Sequence, residues 1–307
     1  MMIYDLIIIG GGPAGIAAGI YGARKALNIL LATKDFIGQI GKVGMIENYP
    51  GFAEIDGMSL MKSFKDHLQK FDVEIKEGDE VRSLSKKENI FTIETVKKQV
   101  FQSKAIIIAT GRNPRPLKVP GETELRNKGV SYCSICDAPL FRRRDIAVVG
   151  GGNSGFGAAL DSIPYTNKIY ILELSSKPLA DEIEQEKARK SGKIEVILRA
   201  KTLEIKGKDK VNALLYQDLE SGQEKELAVQ GVFIQVGYLP AADFLKDLVD
   251  LTKMGEITVD PLTCATKTPG LYAAGDVTNV KYKQIIVAAG EGTKAVLSVY
   301  SFLQNQL

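Results

Sequence analysis

The chain has 307 residues, 45% hydrophobic and 25% charged, an ordinary globular composition with length enough for two domains. Forty basic against 37 acidic side chains leave a net charge of +3, too balanced to argue for nucleic acid or an anionic membrane, and three cysteines do not make a disulfide framework. No apolar run in the sequence reaches the ~20 residues that span a bilayer, and MMIYDLIIIGGG begins a strand without a basic leader, so a reducing cytoplasm is the expected setting.

Residues 5–20, DLIIIGGGPAGIAAGI, read as a buried strand, a G-x-G-x-x-G turn and a small-residue helix. Gly10 makes the tight turn, Gly12 lets the backbone approach a pyrophosphate, and Gly15 lets helix and strand pack closely. KALNILLA (25–32) is the next strand, and 58–71 is a helix with Leu60 or Met61, Phe64, Leu68 and Phe71 on one face. His67 flanks that face and reads as a surface residue rather than a catalytic one. Strands follow at 73–75, 79–84, 90–95, 100–102 and 105–111, and the Pro- and Gly-containing stretch 112–130 reads as a linker.

SYCSICDAPLF (131–141) then brings a Cys-x-x-Cys pair, Cys133 and Cys136. Zinc needs about four ligands, and only Cys264 and His67 remain, neither at ligand spacing. A redox dithiol is expected, with two merely packed cysteines as the alternative. FRRRD (141–145) precedes a strand and reads as a solvated turn. Residues 145–160, DIAVVGGGNSGFGAAL, repeat the first turn with Gly150, Gly152 and Gly155; six of the 16 positions match residues 5–20. One such turn is weak evidence, but two predict two dinucleotide sites. The second unit runs to about Gly237. After Pro240 the pattern reads as helical, ending in LYAAGDV (271–277) and a small-residue helix; Cys264 reads as a packed residue.

The pieces GGGPAG, GQI with ENYPGF, ATG, C-x-x-C-D, GGGNSG, AAGDV and YKQIIVAAGEG run almost end to end. With them the chain resembles the low-molecular-weight thioredoxin reductase family, two-dinucleotide flavoproteins. CDAPLF, ILELSSKPLAD and YKQIIVAAGEG look closest to the flavoprotein subunit of alkyl hydroperoxide reductase, whose extra N-terminal thioredoxin-like region this chain is expected to lack. The resemblance implies an α/β fold of two Rossmann-like dinucleotide-binding domains, the second inserted into the first. Residues 1–112 and 244–307 would bind FAD, and 113–243 would bind the nicotinamide nucleotide and carry the redox cysteines.

FAD contacts are implied at Gly10, Gly12, Pro13, Ala14, Gly15, Gln39, Asn48, Val81, Thr110, Gly111, Gly275, Asp276, Lys283, Gln284 and Ile285. Nucleotide contacts are implied at Gly150, Gly152, Asn153, Ser154, Gly155 and Glu173. Cys136 would face the flavin, Cys133 would attack the partner, and Asp137 would serve as acid/base. Two departures stand out: Ile37-Gly38-Gln39 replaces the usual GGQ, and no carboxylate closes the second flavin-side strand, leaving Asp35 as a substitute. Glu173, followed by Leu-Ser-Ser and a single Lys177, favours NADH over NADPH, since an acid binds ribose hydroxyls and repels a 2′-phosphate. The expected partner is a thioredoxin- or glutaredoxin-like protein, the expected assembly a homodimer without nucleic acid or membrane, and the expected hinges lie at 112–118 and 237–243. A ferredoxin-dependent flavin thioredoxin reductase and a non-turnover flavin redox sensor are the rival readings.

Overall fold

Leu6, Ile7, Ile8 and Ile9 are apolar without alternation because both faces of their strand are covered. In the computed structural model, which describes residues 2–42 and 45–305, this strand is β1 (Ile3–Ile9). Leu6 and Ile8 enter one core with Ile16 and Leu31, while Ile7 and Ile9 enter a second with Leu30, Ile106 and Ile108. Then come α1 (Pro13–Ala23), β2 (Ile29–Thr33), α2 (Gly57–Leu68), β3 (Glu74–Glu77), β4 (Val81–Lys87), β5 (Ile90–Thr95) and β6 (Val100–Ile108). Asp56 caps α2, accepting from the Ser59 N–H at 3.0 Å. That helix buries Leu60, Met61 and Leu68, leaves His67 exposed and stops before Phe71.

The chain separates into two compact units: Met1–Asn113 with Leu239–Leu307, and Pro114–Tyr238 between them. The second contains β7 (Val130–Ser131), α3 (Ser134–Asp137), β8 (Ile146–Val149), α4 (Asn153–Ser162), β9 (Ile169–Leu172), α5 (Glu182–Ser191) and β10 (Ile194–Ile197), then β11 (Ala200–Gly207), β12 (Val211–Asp218), β13 (Glu224–Leu227) and β14 (Gly231–Ile234). Five of these strands form a parallel sheet in the order β7-β14-β8-β9-β10, and β11-β12-β13 form an antiparallel one. Helix α5 is stopped by Gly192 in the left-handed region (φ 65°), a position that favours a residue without a Cβ.

The stretch 112–130 is not a linker. Leu125 is buried, Leu117 and Val119 pack against the same core, and Glu122 is only 5% exposed. Its Pro and Gly content masks apolar residues spaced too irregularly for a helix or strand period. The short strands Arg112–Pro114 and Tyr238–Pro240 pair with each other.

The expected helical character after Pro240 is also corrected. A 3-10 turn covers Asp243–Leu248, and the chain then runs extended, with Leu251 bridging Ile257. β15 (Leu271–Ala273) pairs parallel with Ile106–Ile108 of β6, completing a sheet in the order β3-β2-β1-β6-β5-β4. α6 (Ile285–Gln304) follows. By length and composition it could cross a membrane, but its Ala288, Gly292, Ala295, Val296 and Val299 are buried within this unit. A Cβ on Gly292 would lie 2.0 Å from the Ala14 carbonyl oxygen, so a small residue there sets how closely α6 approaches α1.

Candidate dinucleotide and redox-disulfide sites

The two glycine turns have one geometry. Gly10 and Gly150 take φ 118° and 115°, and a Cβ on either would sit 2.3 Å from a backbone oxygen, that of Ala109 or Gln235. A Cβ on Gly15 would lie 1.9 Å from the Gly10 oxygen, and one on Gly155 1.8 Å from the Gly150 oxygen. Gly12 and Gly152 differ: nothing lies within 4 Å of a Cβ built there. Of the three fingerprint glycines in each turn, two are thus required by the protein's own packing, and the third leaves a cradle. α1 and α4 begin at these cradles with no side-chain cap and no acid in the first turn, so their N–H groups and positive dipole ends suit a pyrophosphate. The residues therefore fit a dinucleotide in each unit. Pro13 and Ala14 open α1, and exposed Ser154 lies in the first turn of α4. Asn153 is tied to Asp181, its amide donating at 3.0 Å and its oxygen accepting the Asp181 N–H at 2.7 Å.

In the first unit several expected residues converge. The Gln39 amide donates to the Arg112 oxygen at 2.7 Å, and the Arg112 guanidinium donates to Asp276 Oδ2 at 2.9 Å. The Thr110 hydroxyl donates to the Ala241 oxygen at 2.7 Å, with Gly111 at φ 64° beside it. The Asn48 amide reaches Gln284 at 3.4 Å. Gln284 is the N-cap residue of α6, again without a side-chain cap, and Ile285 begins the helix. Gly275 (φ 77°) donates its N–H to Glu291 at 3.0 Å. Val81 is buried at the start of β4. Lys283 donates to the Asp276 and Thr278 oxygens and pairs with Glu256 at 2.9 Å; three acceptors for three N–H groups make it a staple of its loop.

Strand register puts Thr33 rather than Asp35 at the position that Glu173 holds in the second unit, since β1 pairs with β2 as β8 pairs with β9. Thr33 is buried and donates to the Asp35 carbonyl oxygen at 2.7 Å, while the Asp35 carboxylate is turned to the Gly38 N–H at 2.8 Å. Glu173, 7% exposed, accepts the Gly151 N–H at 2.6 Å and the Ser175 N–H at 2.8 Å. A carboxylate offers about four lone-pair positions, so acceptor capacity remains for ribose hydroxyls. The Arg199 N–H donates to the Ser175 oxygen at 3.0 Å, but its guanidinium pairs with Glu220 at 3.3 Å.

Cys133 and Cys136 form a disulfide, with Cα atoms 5.4 Å apart, at the start of α3. Cys133 is the N-cap residue, and its Sγ accepts the Cys136 N–H at 3.2 Å, a contact that would favour a thiolate on Cys133. Cys133 is half-buried and Cys136 exposed. Asp137 accepts from the Ser131 hydroxyl at 2.6 Å, and that same oxygen accepts the Cys133 N–H at 3.0 Å. The half-buried carboxylate Asp137 is therefore one hydroxyl away from the cysteine backbone. Among the described residues no cluster suits a metal ion. Cys264 is buried, and burial pushes its thiol up to about 11, so it is an inert packed residue.

Two cradled glycine turns with a disulfide on the second unit define the chemistry of a known group. The pyridine nucleotide-disulphide oxidoreductase family matches residues 4–292. The chain belongs to that family. Membership implies flavin and nicotinamide binding. The F subunit of alkyl hydroperoxide reductase in Escherichia coli (strain K12) is 41% identical over 304 residues, covering 98% of this chain and 58% of that protein. A protein named NADH dehydrogenase from Bacillus subtilis (strain 168) is 40% identical over 300 residues, again covering 98% and 58%. The chain thus spans less than two thirds of the length of these curated relatives. Thioredoxin reductase of Lactococcus lactis is 37% identical, with a TM-score of 0.94 covering 98% of this chain and 99% of that one.

Four residues of this family member carry no signal in the sequence. Arg112 is joined to Asp276 only by the fold, and Thr33 becomes visible only through register. Glu122 accepts the Leu117 N–H at 2.8 Å, the Lys118 N–H and the hydroxyl of Tyr132, the neighbour of Cys133. Burial and this carboxylate push the Tyr132 phenol well above its usual range. Asp161 on α4 accepts from Ser134, between the two cysteines, at 3.1 Å. An acid at the end of a helix has no distinguishing pattern.

Proposed function

We propose that the chain is a flavin-dependent disulfide reductase that carries electrons from NADH through FAD and Cys133–Cys136 to a thioredoxin- or glutaredoxin-like protein. The observation that carries this reading is the closed Cys133–Cys136 disulfide in the unit that also holds an open glycine cradle. Bound FAD supplies the two-electron relay between a hydride donor and a disulfide. The chain's residues do the rest. Reduction of the disulfide takes two electrons and two protons and yields two thiols. Cys133, as thiolate, attacks one sulfur of the partner's disulfide; Cys136 then attacks the mixed disulfide, reforming the intramolecular bond and leaving the partner as a dithiol. In this reading Asp137, linked through the Ser131 hydroxyl to the Cys133 N–H, takes the proton that this exchange moves, the chain's one histidine, His67, lying on α2 of the other unit.

Glu173 supports NADH as donor. A 2′-phosphate would meet a buried carboxylate, and Arg199, whose backbone N–H bonds Ser175, has its guanidinium paired to Glu220. Lost ribose bonds and repulsion of roughly 2 to 3 kcal/mol give about a thirty- to hundredfold preference in kcat/KM. The name of the Bacillus subtilis relative agrees with this donor. The test is anaerobic titration of the flavin with NADH, NADPH and reduced ferredoxin, followed by steady-state reduction of a thioredoxin. NADH should bleach the flavin, Glu173→Arg should shrink the gap to NADPH, and Cys133→Ser should stop thioredoxin reduction while leaving flavin reduction intact. Equal rates with both nucleotides would overturn the ribose assignment. Reduction by ferredoxin alone would favour the ferredoxin-linked reading, and purified protein carrying FMN or no flavin would overturn the whole scheme.

A further inference from the structure

Ser134 follows Cys133 directly, and its hydroxyl, almost fully buried, donates to Asp161 Oδ2 on α4 at 3.1 Å. Asp161 itself is half-buried. Burial pushes its carboxyl up, the Ser134 bond opposes that shift, and Glu184 on α5 adds to it. Glu184 is in turn paired with Lys187 at 3.4 Å. The other elements packed on α4 bring little charge: α3 contributes Asp137, already bonded to Ser131, and β8 and β9 face it with Ile146, Val148, Ile169 and Ile171. Asparagine at this position would offer Ser134 the same acceptor without a charge to desolvate. A costly carboxylate where a neutral isostere would serve is the kind of local departure that functional sites retain.

We infer that Asp161 is a positioning residue of the redox disulfide: through Ser134 it fixes the first turn of α3 and sets a negative charge close to Cys133. This rests on the reading of Cys133–Cys136 as the working pair. Opening the disulfide with two electrons and two protons gives two thiols, and loss of the Cys133 proton then gives the nucleophile. The Cys136 N–H favours that ionisation, while the Asp161 charge, bonded to the next residue, opposes it. The balance makes Cys133 less acidic and the dithiol a stronger reductant than the turn alone would.

The experiment needs neither nucleotide nor partner. Reduced protein is alkylated with iodoacetamide across a pH series, and the oxidised and reduced forms are equilibrated in dithiothreitol buffers. Buried Cys264 contributes little background. Asp161→Asn keeps the acceptor and removes the charge, so the pH midpoint of Cys133 alkylation should fall by ~0.5–1 unit. The equilibrium should move about threefold toward the dithiol, ~15 mV less reducing. Ser134→Ala keeps the charge and removes the tether; it should broaden or raise the alkylation midpoint rather than lower it. Asp161→Asn should also raise Tm at alkaline pH and not at acid pH. Its folded-state pKa is raised, so the wild-type penalty vanishes as pH falls below that value. A Tm change with an unmoved midpoint and equilibrium would overturn the inference and leave Asp161 a structural residue. A disulfide that dithiothreitol cannot open would instead overturn the reading of the pair.

Discussion

At the residue scale the two glycine turns separate fold from function. Gly15 and Gly155 are fixed by packing, each with a Cβ position less than 2 Å from a carbonyl oxygen, whereas Gly12 and Gly152 face open space. Substitutions should divide accordingly. Gly155→Ala must push α4 off β8 and should cost more than about 2 kcal/mol in urea unfolding, an overpacking effect. Gly152→Ala should leave the urea midpoint almost unchanged, because the added methyl meets no protein atom. It should nonetheless weaken NADH binding at least tenfold, about 1.4 kcal/mol, because the methyl stands where the pyrophosphate approaches. A Gly152→Ala protein with unaltered affinity would mean that the cradle holds no dinucleotide.

At the level of elements, legibility follows the range of the determining contacts. The strand-turn-helix units are readable because strand, turn and helix chemistry are all local in sequence. The apolar pattern splits β6 into two strands, 100–102 and 105–111, since Ser103 and Lys104 interrupt it. In the fold Ser103 is fully buried and donates to the Ala105 oxygen, and Lys104 pairs with Asp5 at 2.8 Å. The segment 112–130 passes for a linker because one carboxylate organises it. Glu122 gathers Leu117, Lys118 and Tyr132, and neither pattern nor composition marks such a hub. Glu122→Ala would strand three donors and should destabilise the second unit by ~3 kcal/mol, with Tyr132→Phe costing ~1 kcal/mol for a single bond. Denaturant curves followed by tyrosine fluorescence check the order. If Tyr132→Phe cost as much as Glu122→Ala, the phenol rather than the backbone donors would be the main partner.

For the whole molecule, the deciding fact is that one unit is continuous in sequence and the other is not. The second unit owns two apolar cores, one built around Val149, Leu172, Leu214 and Ile234, the other around Val148, Phe156, Ile171 and Phe233. Its parallel sheet, antiparallel sheet and glycine turn all arise between Pro114 and Tyr238. The first unit depends on the returning segment, because β15 pairs with β6, α6 packs at Gly292 against Ala14, and Asp276 meets Arg112. Cutting the chain at the two crossings should therefore have unequal results. The isolated 114–238 fragment should unfold cooperatively, bind NADH and be colourless. The isolated 1–113 fragment should be largely unfolded, having lost β15 and α6, and should hold no flavin even in excess FAD. Supplying 239–307 through a short Gly-Ser connector should restore a yellow protein that does not reduce thioredoxin, since Cys133 and Cys136 have left with the insert. Circular dichroism, flavin absorbance and NADH fluorescence read the three outcomes. A 1–113 fragment that bound FAD unaided would show that the returning segment decorates that site rather than completing it.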